Sequence, residues 1–285
     1  MRIAFLGTPA DAVPTLRALV DAGHDVALVV TQPDRRRGRG AATAPSPVKS
    51  AARELGLPVR TPARGREIVD EMRASGATLG AVVAFGQLLP DALLDSLPHG
   101  FVNLHFSLLP RWRGAAPVER AILAGDAETG VSIMRIDAGL DTGPVYAVER
   151  TPVGPDETAG ELRARLVELG TALMVTTLPR IPDLEPTPQE GEPTYAEKLD
   201  VAEFELDWSR PARELLRVIR AGNPRPGAWT TVDHTRLKIW RARTAVDGTV
   251  EPVEVQPEGK GRMPWEAWQR GHPHWGWPAT GRLGS

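Results

Sequence analysis

Apolar runs alternate with amphipathic stretches along the first 180 residues of the chain. Short apolar runs bounded by Gly, Pro or Asp are typical of buried strands, whereas apolar positions three or four residues apart are typical of helices. The pattern predicts strands at residues 2–6, 25–31, 58–61, 79–85 and 101–105, and helices at 13–22, 48–55 and 66–75. This alternation predicts an α/β fold with a doubly wound, mostly parallel sheet.

The pattern changes after a long predicted helix at residues 158–178. Residues 181–192 are rich in proline and acidic side chains, which is typical of a linker. We therefore expect a large α/β domain at 1–180, a linker at 181–206 and a short β-rich domain at 207–285. Seven of the eight tryptophans follow Asp207. They indicate either base-stacking platforms or a small domain that needs large apolar groups for its core.

The predicted strand at residues 101–105 carries two polar residues, Asn103 and His105, which are two apart and therefore project from the same face. The loop that follows is broken by Pro and Gly. It leaves the pair at the carboxyl end of the strand, where open α/β sheets place their ligands. Predicted strands at 130–137 and 144–152 form a hairpin around an acidic turn that contains Asp141.

An Asn, a His and an Asp suit acyl transfer to a nucleophile that needs little activation, such as an amine. His105 would act as general acid or base on the amine's proton. Asp141 would orient the imidazole and tune its proton affinity, and Asn103 would donate a hydrogen bond to the developing oxyanion. This chemistry needs no serine or cysteine intermediate.

The run from Asn103 to Val118, together with the turn at 137–143, resembles the signature of the folate-dependent formyltransferases. Residues 107–117 are most similar to the branch whose acceptor is methionyl-tRNA. The resemblance begins at Met1 and continues to about Ala242. It implies a Rossmann-like catalytic domain followed by a small barrel of the oligonucleotide-binding type, which is truncated here.

The resemblance implies 10-formyltetrahydrofolate as the formyl donor. In the family, the stretch at 82–90 lies along the pterin, largely through backbone groups, although it also fits an ordinary strand-to-helix turn. The expected folate contacts are Phe85, Gln87, Leu88, Ser107, Leu108, Leu109, Pro110, Asp137 and Gly139.

A basic loop after the second strand resembles the family's tRNA-facing loop, which enters the acceptor end of the tRNA. The expected acceptor contacts are Arg35, Arg36, Arg37, Arg39 and Arg113. A solvated arginine run is the alternative interpretation. The net charge of −2 argues against a uniformly basic nucleic-acid binder, yet residues 210–243 hold nine basic side chains against two acidic ones.

Composition excludes several other classes of site. The chain has no cysteine, so disulfides, thiolate nucleophiles and cysteine-bound zinc are excluded. Gly7 lacks the partner glycines of a dinucleotide fingerprint. The pair His272 and His274 lacks a third ligand, so we predict no metal. No apolar run approaches the roughly 18 residues of a membrane helix, and we expect a cytoplasmic protein that does not bind a membrane.

Two other functions stay open. The first is formylation of a small amine, such as an amino sugar or a biosynthetic intermediate, by the same folate chemistry. The short second domain, the altered basic loop and Phe106, where many relatives have glycine, favour it. The second is a folate- or RNA-binding protein without turnover, against which the complete set of Asn103, His105 and Asp141 argues.

Overall fold

The structure is a computed structural model that describes residues 1–36 and 43–272. A seven-stranded sheet forms its largest element. Its strands are β1 (Arg2–Gly7), β2 (Asp25–Val30), β3 (Val59–Arg60), β4 (Leu79–Val83), β5 (Phe101–His105), β6 (Glu128–Arg135) and β7 (Val145–Pro152). They lie side by side in the order β7, β6, β5, β4, β1, β2, β3.

The sheet is mixed but mostly parallel. Strand β1 pairs in parallel with both β2 and β4, and β4 pairs in parallel with β5. Strand β5 pairs antiparallel with β6, so that His105 lies opposite Ser132. Residues of β1 and β4 are buried throughout, apart from Arg2 at the sheet margin, as expected for strands covered on both faces. The predicted α/β fold is thus confirmed.

Eight helices accompany the strands in the part of the chain that the structure describes. They are α1 (Val13–Asp21), α2 (Pro47–Glu54), α3 (Val69–Ala74), α4 (Asp91–Leu94), α5 (Pro117–Ala124), α6 (Ala159–Thr177), α7 (Ala212–Gly222) and α8 (Trp265–Arg270). None of these helices is long and apolar enough to span a bilayer.

Two elements differ from the sequence expectation. The predicted helix at 66–75 begins as a 3₁₀ turn at Gly65–Ile68, and α3 continues from Val69. The predicted strand at 58–61 is only the two-residue β3 at the sheet edge. Pro58 precedes it and Pro62 follows two residues after its end, and neither has an N–H to donate to a ladder.

The chain divides into two compact units built from interleaved segments. The first comprises residues 1–113, 130–151 and 164–195, and the second comprises 114–129, 152–163 and 196 onward. Because the segments interleave, the predicted domain limits at 180 and 206 stay predictions.

A small four-stranded sheet characterises the second unit. It consists of β8 (Ala228–Val232), β9 (Thr235–Thr244), β10 (Val250–Pro257) and β11 (Met263–Pro264), paired antiparallel in chain order. Trp229 and Trp240 are buried at 9% and 5% exposure, which favours a core role for these two rings. The predicted short β-rich second domain is confirmed.

Candidate active site

Strand β5 ends at the centre of the candidate site. Its two polar residues differ in environment: His105 is 5% exposed, whereas Asn103 is only partly buried. Within residues 1–36 and 43–272 the Asn103 side-chain amide has no hydrogen-bonding partner. An amide that no protein group occupies is available to donate to a substrate oxygen.

His105 lies between a backbone carbonyl and a carboxylate. Its Nε2 atom donates to the carbonyl oxygen of Trp112 at 2.8 Å, and its Nδ1 atom lies 3.6 Å from Oδ2 of Asp141. A carbonyl oxygen can only accept, so Nε2 carries a proton. Nδ1 is therefore the ring nitrogen that faces the Asp141 carboxylate.

The turn that carries Asp141 is tight. Asp141 itself has φ of 50°, a left-handed conformation that Asp tolerates better than most residues. A Cβ on Gly143 would lie 1.9 Å from the carbonyl oxygen of Arg135, and a Cβ on Gly139 would lie 2.3 Å from Oγ1 of Thr142. Both positions therefore require glycine, which explains the glycines of the sequence motif.

The loop after β5 is fixed by buried serines. The Ser107 hydroxyl donates to the carbonyl oxygen of Arg111 at 2.5 Å. The Ser132 hydroxyl donates to the backbone carbonyl oxygen of Ser107 at 2.7 Å. Ser107 is fully buried, so its hydroxyl is committed to the loop. The other three predicted folate contacts of this loop, at residues 108–110, are partly exposed.

The predicted folate turn after β4 is held from two neighbouring strands. Thr8, which follows β1, donates through its hydroxyl to the carbonyl oxygen of Phe85 at 2.9 Å. Gln32, which follows β2, donates through Nε2 to the carbonyl oxygens of Phe85 and Gly86, each at 2.9 Å. Phe85 is buried, whereas Leu88 is 85% exposed. The turn therefore has a fixed backbone and an apolar side chain that projects into solvent.

The other residues predicted to bind folate lie beside these elements. Gln87 donates through Nε2 to the carbonyl oxygen of Pro62 at 3.2 Å. Asp137 pairs with Arg135 at 3.1 Å and lines a groove of about 1140 Å³ with Leu97, Phe101 and other residues. Neither Asn103, His105 nor Asp141 lines this groove. The three side chains predicted to be catalytic therefore lie apart from this groove, and their catalytic role stays a prediction.

Arg113, predicted to contact the acceptor, has a partner that the sequence did not suggest. Its Nε and Nη2 atoms donate to Oε1 of Gln189 at 3.0 and 2.7 Å. Gln189 lies in the stretch at 181–192, where only proline and acidic residues stand out in the sequence. No local motif identifies Gln189.

The arginines of the basic loop are only partly within the structure. Arg35–Arg36 forms a short antiparallel pair with Thr43–Ala44. Arg37 and Arg39 lie outside the described residues, as does His274. In the residues that flank the pair in sequence, Lys49 binds Asp34 at 2.7 Å, and the hydroxyls of Thr31 and Ser46 are hydrogen-bonded at 2.7 Å. Within residues 1–36 and 43–272, no three His, Asp or Glu residues are grouped as a metal site would require.

Comparison with known proteins was made on sequence and on fold. The model of the formyl transferase family matches residues 1–178, and the model of its C-terminal domain matches residues 198–249. The chain belongs to the formyl transferase family. The resemblance to the folate-dependent formyltransferases, inferred from the sequence, is thereby confirmed.

Curated members of this family align over most of the chain. The methionyl-tRNA formyltransferase of Roseobacter denitrificans is 51% identical over 90% of this chain and 87% of its own length. That of Paracoccus denitrificans is 49% identical over 93% of this chain and 95% of its own length. That of Thermus thermophilus is 48% identical over 95% of this chain and 96% of its own length.

Solved structures agree on the fold of this formyl transferase. Methionyl-tRNA formyltransferase from Clostridium thermocellum superposes with a TM-score of 0.63 at 16% identity, over 92% of this chain and all of its own. The N-formyltransferase from Helicobacter canadensis, in complex with folinic acid and dTDP-3-aminofucose, superposes with a TM-score of 0.66 at 19% identity, over 87% of this chain and 90% of its own. At such low identity the likeness concerns the fold alone.

Proposed function

We propose that this protein transfers the formyl group of 10-formyltetrahydrofolate to the amino group of methionyl-tRNA, the initiator of translation. The observation that carries the proposal is the placement of Asn103, His105 and Asp141. Together they offer a hydrogen-bond donor for the oxyanion and an acceptor for the amine's proton. Transfer by these groups needs no covalent intermediate on the enzyme. The acceptor is assigned from the curated relatives, whose name specifies methionyl-tRNA. The reaction belongs to translation and hence to the cytoplasm.

The reaction exchanges one C–N bond for another. The amine nitrogen attacks the formyl carbon, and the carbonyl oxygen gains negative charge to which the Asn103 amide donates a hydrogen bond. His105 removes the proton of the attacking nitrogen at Nδ1, where the Asp141 carboxylate stabilises the resulting imidazolium. The intermediate then expels N10 of the folate, which takes up the proton from the His105 imidazolium, so that the formamide forms and His105 returns to its neutral state.

The acceptor side depends on positive charge. The basic loop and Arg113 are proposed to meet the tRNA, as predicted from the sequence. Within the second unit, Arg236 lies 3.9 Å from the centre of the Trp229 ring and Arg262 lies 3.8 Å from that of Trp240. Guanidinium groups arranged in this way suit phosphate and base contacts. The curated relatives favour tRNA over the small amine that Phe106 and the short second domain left open.

The test is formyl transfer from 10-formyltetrahydrofolate to charged initiator methionyl-tRNA, run beside free amines that include an amino sugar. His105→Ala serves as the control for contaminating activity. We expect formylation of the tRNA whose apparent affinity falls steeply as salt rises, because phosphate contacts are salt-sensitive. Folate-dependent turnover of a small amine, with none on the tRNA, would overturn the acceptor assignment.

A further inference from the structure

Two residues of the site have left-handed backbones although neither is glycine. Trp112 has φ of 63° and Asp141 has φ of 50°. Trp112 supplies the carbonyl that accepts from Nε2 of His105, and Asp141 supplies the carboxylate that faces Nδ1. Non-glycine residues keep such conformations only where surrounding contacts impose them. The contacts that impose these conformations therefore determine where the Trp112 carbonyl and the Asp141 carboxylate lie beside the imidazole.

One segment, residues 187–194, supplies hydrogen bonds to both of these turns. Thr194 accepts through Oγ1 from the backbone N–H of Trp112 at 2.9 Å. Gln189 donates through Nε2 to the carbonyl oxygens of Asp141 and Gly143, each at 2.8 Å. The segment is anchored on β7, because Thr187 and Val145 exchange two backbone hydrogen bonds of 2.8 and 2.9 Å.

Every hydrogen-bonding group of the Gln189 side-chain amide has a partner. Its two N–H groups donate to the Asp141 turn, and its oxygen accepts twice from Arg113. Only one orientation of the amide satisfies both sides, because a guanidinium has no acceptor and carbonyl oxygens have no donor. Gln189 therefore fixes the turn on one side and orients the guanidinium on the other.

We propose that Gln189 is a positioning residue for the formyl transfer reaction, acting through the backbone of Asp141 to hold its carboxylate against His105. This inference rests on the proposed function, since it needs a turnover that can be measured. Gln189 touches neither reacting group in this structure. Its contribution is to the geometry of the Asp141 turn, with Thr194 acting in parallel on Trp112.

Gln189→Ala removes every contact of the amide, and Gln189→Glu keeps an oxygen for Arg113 while it loses both donors to the turn. We expect each variant to lower kcat by about 10- to 100-fold, the range in which misplaced groups slow catalysis, with little change in KM for the folate donor. Glu190→Ala, an exposed neighbour in the same segment, is the matched control and should behave as the parent protein. Melting temperatures and circular dichroism exclude loss of fold.

A double-mutant cycle with Asp141→Asn separates positioning from a general structural role. If Gln189 acts through the Asp141 carboxylate, Gln189→Ala should cost little further rate once that carboxylate is gone. Full kcat in Gln189→Glu, or equal losses in both backgrounds, would overturn the inference. If the parent protein itself transfers no formyl group to methionyl-tRNA, the proposed function fails instead, so the two failures are distinguishable.

Discussion

The Nε2 atom of His105 donates a 2.8 Å hydrogen bond to the carbonyl oxygen of Trp112. This bond commits Nε2 to the backbone and leaves Nδ1 facing Asp141 across 3.6 Å. In the proposed mechanism, the proton taken from the amine lies on Nδ1 beside this carboxylate, in a site where His105 is buried. The role proposed for the Asp141 carboxylate is to stabilise the charge that the imidazole gains in this step.

Asp141→Asn tests the charge at this position while it keeps the side-chain shape. We expect kcat to fall by about 10²- to 10⁴-fold, the usual contribution of acid-base groups, because an amide cannot stabilise the imidazolium. The measurement is single-turnover formyl transfer at saturating donor and acceptor. Asp183→Asn, an exposed carboxylate of the same unit, should leave the rate unchanged. A parental rate in Asp141→Asn would remove the carboxylate from the mechanism.

Asn103→Ala tests the oxyanion donor. Loss of one such donor typically slows a reaction by about 10²- to 10³-fold, and the effect should appear in kcat because the oxygen gains charge only as the reaction proceeds. Asn103→Asp retains the shape and should be as slow as the alanine variant, since an ionised carboxylate cannot donate. Unchanged turnover in Asn103→Ala would show that another group stabilises the oxyanion.

Gln32→Ala tests the turn predicted to lie along the pterin. Gln32 is buried and binds the carbonyl oxygens of Phe85 and Gly86. Two neutral hydrogen bonds contribute about 0.5–1.5 kcal/mol each, so we expect KM for the formyl donor to rise roughly tenfold while kcat changes less. Gln269→Ala, at an exposed position of α8, is the control. A lower melting temperature with an unchanged KM would assign Gln32 a purely structural role.

Local patterns predicted much of this architecture and part of the site. Asn103 and His105 were identified because period-two alternation and a breaking loop are readable over a few residues. Asp141 was identified because a glycine-flanked acidic turn is equally local. The structure brings Asp141 to within 3.6 Å of His105, whereas the assigned roles of all three residues stay predictions until the variants are measured.

The supporting contacts were beyond sequence reasoning for a physical reason. Gln189 binds residues 46, 48 and 76 positions away, and Thr194 binds Trp112 across 82 positions. Such contacts depend on the packing of a proline-rich segment that has no hydrophobic period. The same absence of period led to its interpretation as a linker, although residues up to 195 belong to the first compact unit.

Glu161, in the first turn of α6, links pH to stability. Its carboxylate accepts hydrogen bonds from the N–H and the hydroxyl of Thr158, its own N–H donates to that hydroxyl, and it forms an ion pair with Arg241. These contacts lower the pKa of the Glu161 carboxyl to about 2, and the hydrogen bond from the Thr158 N–H is the largest cause. Because the folded-state pKa lies below the ordinary value of 4.5, the folded state favours the ionised form. This stabilisation is present above about pH 4.5 and is lost as the pH falls towards 2.

Glu161→Gln should therefore melt below the parent protein at pH 7, and the difference between their melting temperatures should shrink as the pH is lowered below about 4.5. The effect should be modest, about 1 kcal/mol or less, because the Glu161 and Arg241 side chains are each 47% exposed. Glu168→Gln, an exposed position on the same helix, should show no such pH-dependent difference. A constant difference for Glu161→Gln across this range would mean that the charge of the carboxylate does not stabilise the start of α6.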